Sequence, residues 1–94
     1  MAKTGNKQIE VICHDGRAAV SGHVRSVTDA GCELVSSSRL HGPVFARRCR
    51  VVLNLLDVAK GRSENVNARL GGVVRDGGAW VYRVRWQARP GMLD

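Results

Sequence analysis

The sequence lacks any long hydrophobic run. No stretch approaches the ~20 consecutive apolar residues that a membrane-spanning helix needs, and no apolar segment follows the opening residues Met1, Ala2 and Lys3. We therefore expect no membrane insertion, no secretory signal and a cytoplasmic location. Linkers, internal repeats and low-complexity segments are missing too, so residues 1–94 have room for a single domain.

Cysteine is scarce and widely spaced. Cys13, Cys32 and Cys49 are odd in number and form no C-x-x-C pair, which argues against a disulfide framework and against a zinc knuckle. Cysteine and histidine do recur about every nine residues, but short strands joined by turns produce the same recurrence. We predict reduced thiols and no metal site.

Catalytic signatures are missing as well. The eight carboxylates form no close pair suited to acid–base chemistry, and neither a nucleophile elbow, a zinc-protease motif nor a phosphate-cradling glycine loop occurs. The sequence therefore predicts a binding module that is not an enzyme, with no catalytic residue and no cofactor.

Arginine, by contrast, is abundant. Fifteen basic residues against eight acidic ones give a formal net charge of +7, and twelve of the fifteen are Arg. The planar guanidinium fork suits phosphate oxygens and guanine edges, so we expect an anionic partner. The arginines that bear on this partner fall into three groups: Arg83, Arg85 and Arg89; Arg47, Arg48 and Arg50; and Arg17 with Arg25.

Apolar and polar side chains alternate with a period of two along most of the chain. From Trp80 to Arg89 this alternation is typical of a half-buried strand with its aromatic face inward. The same pattern, with less contrast, predicts strands over residues 9–13, 18–25, 32–36, 46–56 and 65–74, with turns at 60–63 and 76–78. Six strands and no helix favour an all-β fold, a small six-stranded antiparallel β-barrel.

The inward-facing positions of these strands define a predicted core. Its members are Val11, Val20, Val24, Leu34, Val51, Leu53, Leu55, Leu70, Val84 and Trp86. A glycine inside the second strand, Gly22, indicates a bend of the kind that small barrels need at their corners.

The last predicted strand carries its arginines on one face. Same-face neighbours lie ~6.6 Å apart along a strand, near the spacing of successive phosphates of a single-stranded nucleic acid. Trp80, Tyr82 and Trp86 lie on the opposite face, which favours a core role over base stacking. A basic β-barrel that binds RNA or single-stranded DNA through this arginine face is therefore the alternative function.

A turn motif follows the second predicted strand. The segment from Gly22 to Leu34 reads GHVRSVTDAGCEL and resembles the signature strand and turn of the PilZ domain family. That signature is Asp or Asn, any residue, Ser, any two residues, then Gly, and its positions are taken here by Ser26, Thr28 and Gly31. The order of the later strands is similar too, so the resemblance covers nearly the whole chain.

The resemblance implies a six-stranded barrel in a bacterial signalling pathway. Many PilZ domains bind the second messenger cyclic di-GMP, and divergent members act as adaptors for protein partners in pilus assembly or motility. In binding members the signature turn meets the dinucleotide at the barrel surface, and an Arg-x-x-x-Arg motif ahead of the first strand stacks on and hydrogen-bonds the guanines. Lys3 and Lys7 stand at the two arginine positions, in a basic leader of residues 1–8.

The two departures from the family motifs predict weak binding of cyclic di-GMP. Lys keeps the charge but loses the planar fork, and Ser26 lacks the carbonyl acceptor of Asp or Asn. Arg17 or Arg25 is a candidate to replace a missing guanidinium. The candidate ligand-binding residues are Lys3, Lys7, Arg25, Ser26, Thr28 and Gly31.

Overall fold

The computed structural model describes residues 9–36, 45–46 and 48–93. Within these residues the chain forms six strands and one 3₁₀ turn. The strands are β1 (Ile9–His14), β2 (Ala19–Arg25), β3 (Gly31–Ser36), β4 (Arg50–Asp57), β5 (Arg62–Asp76) and β6 (Ala79–Arg85), and the 3₁₀ turn is Gly91–Leu93. All neighbours pair antiparallel and close a barrel in the order β1-β2-β3-β6-β5-β4. The predicted six-stranded antiparallel barrel is confirmed.

The interior of the barrel holds the predicted core. Nine of the ten predicted inward residues are buried, whereas Val24 is half-buried and packs against the others. Tyr82 is fully buried, and the Phe45 ring meets it edge-on at a centroid distance of 5.6 Å. The apolar alternation of the sequence therefore matches the two faces of the barrel wall at these positions, although Val81, on the outer side of the predicted alternation, is also fully buried.

Two strand starts differ from the prediction because the turns that precede these strands lie at other residues than predicted. Ahead of β4, the Cys49 amide donates to the Ala46 carbonyl, and Arg48 adopts a left-handed φ of 59°. β4 consequently begins at Arg50. The next turn lies at residues 58–61 rather than 60–63, so β5 begins already at Arg62.

The last strand is shorter than the alternation predicted. β6 ends at Arg85, and the amide of Trp86 donates to the carbonyl of Ala30 instead of extending the pairing with β5. The Trp86 side chain is still buried, and its indole Nε1 donates to the Asp29 carbonyl at 3.0 Å. Side-chain burial therefore continues past the end of the strand, which is why the pattern overestimates its length.

Two glycines allow β3 to lie close to both of its neighbours. A Cβ built on Gly22 would lie 1.9 Å from the Val35 carbonyl oxygen, and one built on Gly31 would lie 2.0 Å from the Val84 carbonyl oxygen. No side chain larger than hydrogen fits at either position without moving backbone. These contacts fix the wall β2-β3-β6 on which the candidate site lies.

No helix in the described part of the chain is long and apolar enough to cross a membrane.

Candidate functional site

The signature turn between β2 and β3 is held by the Thr28 side chain. The Thr28 hydroxyl accepts hydrogen bonds from the amides of Ala30 and Gly31 and donates to the Gly31 carbonyl, each at 3.2 Å. The Thr28 amide also donates to the Gly31 carbonyl at 2.8 Å. Thr28 therefore shapes the turn, and its hydroxyl is engaged within it.

Ser26 begins this turn in an unusual backbone conformation. Its φ is 54°, in the left-handed region that Asn and Asp tolerate better than Ser, and the residue is exposed. Gly31, in contrast, has no positive φ, and its glycine is required by the close approach of β6 rather than by conformational freedom.

Arg25, the fourth predicted ligand residue of this region, is engaged by two carboxylates. Its Nε donates to Glu33 at 2.9 Å, and its Nη2 donates to Asp76 at 2.9 Å. Glu33 also accepts from Arg83 at 3.3 Å. The hydrogen bond from Arg25 holds the pKa of Glu33 below its ordinary value of 4.5, with Arg83 adding to the effect. Arg25 is thus part of an ion-pair network across β2, β3, β5 and β6.

This network predicts an acid-side loss of stability that depends on Glu33. Because the pKa of Glu33 is lowered on folding, its contribution is present above pH 4.5 and is lost as the pH falls through the lowered value. In urea denaturation at pH 7, 4.5 and 3, we expect Glu33→Gln to lose less stability on acidification than the natural protein does.

The matched control for that comparison is Glu10→Gln. Glu10 is an exposed glutamate of β1 that forms no salt bridge with another described residue. Its variant should keep the pH dependence of the natural protein. An unchanged acid-side slope in Glu33→Gln would show that the network does not stabilise the barrel.

A shallow groove joins the signature turn to β6. The groove has a volume of about 310 Å³, and Ser26, Thr28 and Gly31 line it together with Arg83 and Arg85. Gly31 pairs directly with Arg85 in the β3–β6 register, which places this exposed arginine beside the turn. We call this the turn groove. From the sequence, Arg85 was predicted only as part of the arginine face that would bind nucleic acid. Its position beside the turn depends on the pairing of β6 with β3, and no local sequence pattern shows that pairing.

A second, larger groove continues on the other side of Arg85. It has a volume of about 700 Å³ and runs over β5 and the segment that follows β6. Arg50 pairs with Arg69, and Arg69 pairs with Arg85, so three exposed arginines lie side by side across β4, β5 and β6. We call these three residues the arginine row. Sequence alternation placed Arg50 and Arg85 on outer faces, but only the strand register aligns them.

The three sequence groups of arginines are rearranged by the fold. Arg89 does not share the β6 face, because it lies beyond the strand and donates to the Leu93 carbonyl and to Asp29. Arg17 lies in the β1–β2 turn at the opposite end of β2 from Arg25, so these two do not form one cluster. Lys3, Lys7 and Arg47 lie outside the described residues.

The remaining chemically active side chains have structural surroundings. Burial raises the pKa of the Cys13 and Cys32 thiols to about 12, which makes them poor nucleophiles. In the ranges that the structure describes, no group of three His, Cys, Asp or Glu residues could hold a metal ion. Trp80 is half-buried with the Arg75 guanidinium 5.2 Å from its ring centre, and it does not line either basic groove.

Comparisons of the chain with protein-family models, with curated proteins and with solved structures gave no match.

Proposed function

We propose that this protein is a PilZ-type signalling module that binds cyclic di-GMP at the turn groove, in the bacterial cytoplasm. The observation that carries the proposal is the direct pairing of Gly31 with Arg85. It brings a motif turn and an exposed guanidinium fork to one groove, beside Arg83. The closed six-stranded barrel is the architecture that the resemblance to PilZ domains implies.

The chemistry of the turn groove suits a cyclic dinucleotide. An arginine fork can bind a phosphodiester through two parallel hydrogen bonds, or read the O6 and N7 edge of a guanine. Arg85 has no salt bridge to another described residue, whereas Glu33, the carboxylate that also lines the groove, is paired with Arg25 and Arg83. Arg83 shares Glu33 with Arg25, which weakens its availability to a ligand.

Binding is expected to be weak in the natural protein. The family arginines are replaced by Lys3 and Lys7, and Ser26 presents a shorter side chain without a carbonyl. A module of this kind can also act by contact with a protein partner, as the resemblance implies for pilus or motility proteins. Ile12 and Leu56 support that second mode, since they are 49% and 41% exposed on the outer face of the neighbouring strands β1 and β4.

A nitrogen-15 NMR titration with cyclic di-GMP tests the proposed site at low affinity. We expect amide shifts confined to the leader around Lys3 and Lys7, the Ser26–Gly31 turn, and Arg83 and Arg85, with cyclic di-AMP giving smaller shifts because it lacks the guanine edge. Shifts elsewhere on the barrel, equal shifts with both dinucleotides, or no shift at millimolar ligand would contradict the proposal.

A further inference from the structure

The arginine row places like charges directly opposite one another, which is unusual in a β-sheet. Directly opposite residues on neighbouring strands lie about 5 Å apart, and like charges in that position destabilise a sheet. Here Arg50, Arg69 and Arg85 occupy three such positions in succession. With strands about 4.8 Å apart, the row extends about 10 Å across the barrel wall.

Among the described residues, no carboxylate forms a salt bridge with this row. The salt bridges among the described residues engage Arg25, Arg83 and Arg89, and none of them includes Arg50, Arg69 or Arg85. Arg69 donates to the Arg48 carbonyl at 3.1 Å, a contact that uses one Nη1 donor and brings no carboxylate to the guanidinium. An external anion would relieve the repulsion within the row.

The larger groove is also lined by one acidic residue, Glu64, whose carboxylate is bound by a backbone amide. Glu64 accepts a hydrogen bond from the Met92 amide at 3.0 Å. The groove is otherwise rich in polar groups that can meet a nucleotide base. Asn65, Asn67 and Gln87 line it together with the arginine row and supply both amide donors and carbonyl acceptors.

We propose that the arginine row binds the phosphodiester backbone of single-stranded nucleic acid, with the amides of the larger groove facing the bases. The row is about 10 Å long, and because its outer guanidinium groups can splay away from one another it can reach two or three successive phosphates, whereas a lone phosphate would occupy only part of it. Single strands are favoured over duplex because the row lies across three strands of the barrel wall rather than on a helix that could enter a major groove. This inference is independent of cyclic di-GMP binding, although both grooves share Arg85.

The test uses a fluorescein-labelled twelve-residue oligothymidylate, with anisotropy measured at 50 to 300 mM salt. For two to three phosphates neutralised, the plot of log K against log salt should have a slope of about −1.4 to −2.1. Arg69→Gln and Arg50→Gln should each reduce the magnitude of this slope by about 0.7 and weaken binding several-fold at the lowest salt.

Arg62→Gln is the matched control. Arg62 is an exposed arginine on the same strand as Arg69, about 23 Å away, and its variant loses the same charge. It should leave slope and affinity nearly unchanged. Thermal midpoints of all variants establish that each is folded. If Arg69→Gln disrupts the turn at Arg48, Arg50→Gln still tests the row, because Arg50 does not contact that turn through its side chain in any hydrogen bond of the described residues.

Three results would overturn the proposal. Equal weakening by Arg62→Gln and Arg69→Gln would show attraction by net charge alone. Equal affinity for a duplex of the same length would exclude a single-strand site. Displacement of the oligonucleotide by a polyglutamate peptide at matched charge would show that the row takes an acidic protein segment instead.

Discussion

Replacing Gly22 or Gly31 by alanine is expected to destabilise the barrel by about 3 kcal/mol or more, a large effect for a single methyl group. The added Cβ would lie 1.9 Å from the Val35 carbonyl oxygen in the first case and 2.0 Å from the Val84 carbonyl oxygen in the second. Both obstacles are backbone atoms of paired strands, so neither can rotate away. For a domain of this size, the melting temperature should fall by about 12–24 °C.

Gly72→Ala is the control for both glycine variants. Gly72 has no atom within 4 Å of a built Cβ and no positive φ, so its variant should change stability by no more than about 0.5 kcal/mol. Differential scanning calorimetry of the three variants makes the comparison. Equal melting temperatures for Gly31→Ala and Gly72→Ala would contradict the close approach of β3 and β6.

A combined change of Lys3→Arg, Lys7→Arg and Ser26→Asp is expected to raise the affinity for cyclic di-GMP by about two to four decades. Each restored charge-assisted, bidentate contact is worth roughly 1.5–3 kcal/mol, and the two arginines supply two such contacts. Aspartate also suits the left-handed φ of 54° at position 26 better than serine. Isothermal titration calorimetry of the natural and combined variants measures the gain.

Two controls accompany the combined variant. Lys60→Arg makes the same chemical change in the β4–β5 turn, away from the turn groove, and should not alter the affinity. Lys3→Ala with Lys7→Ala should abolish whatever binding the natural protein has. Tight binding by the natural protein that survives this double change would show that the leader does not contribute to the site.

The fold was predictable from the sequence because apolar and polar residues alternate along the strands, which distinguishes the buried face of each strand from its exposed face. Apolar residues at alternate positions of β1, β4 and β6 reach the same interior, and turn residues separate the runs. The strand ends were less predictable. The Trp86 side chain is buried as if the strand continued by one more residue. Its amide, however, donates a hydrogen bond to the Ala30 carbonyl and takes no part in the β5–β6 pairing.

The candidate site was predictable only in its local part. Ser26, Thr28 and Gly31 are close in sequence, and a motif identifies them. The other half depends on strand register: Arg85 reaches the turn because β3 pairs with β6, and Arg25 is held by Asp76, a residue 51 positions away. Neither relation leaves a local pattern, so the sequence offered Arg25 as a free guanidinium and left Arg85 out of the dinucleotide site.

The most direct test of a cyclic di-GMP site at the turn groove is calorimetric titration of the combined Lys3→Arg, Lys7→Arg, Ser26→Asp variant with and without Arg85→Gln. Since Arg85 lines the groove beside Gly31, its loss should weaken binding tenfold or more, the equivalent of a charged hydrogen bond of about 1.5 kcal/mol. Arg62→Gln in the same background should leave the affinity unchanged. An Arg85→Gln affinity equal to that of its parent would contradict the placement of the dinucleotide in this groove.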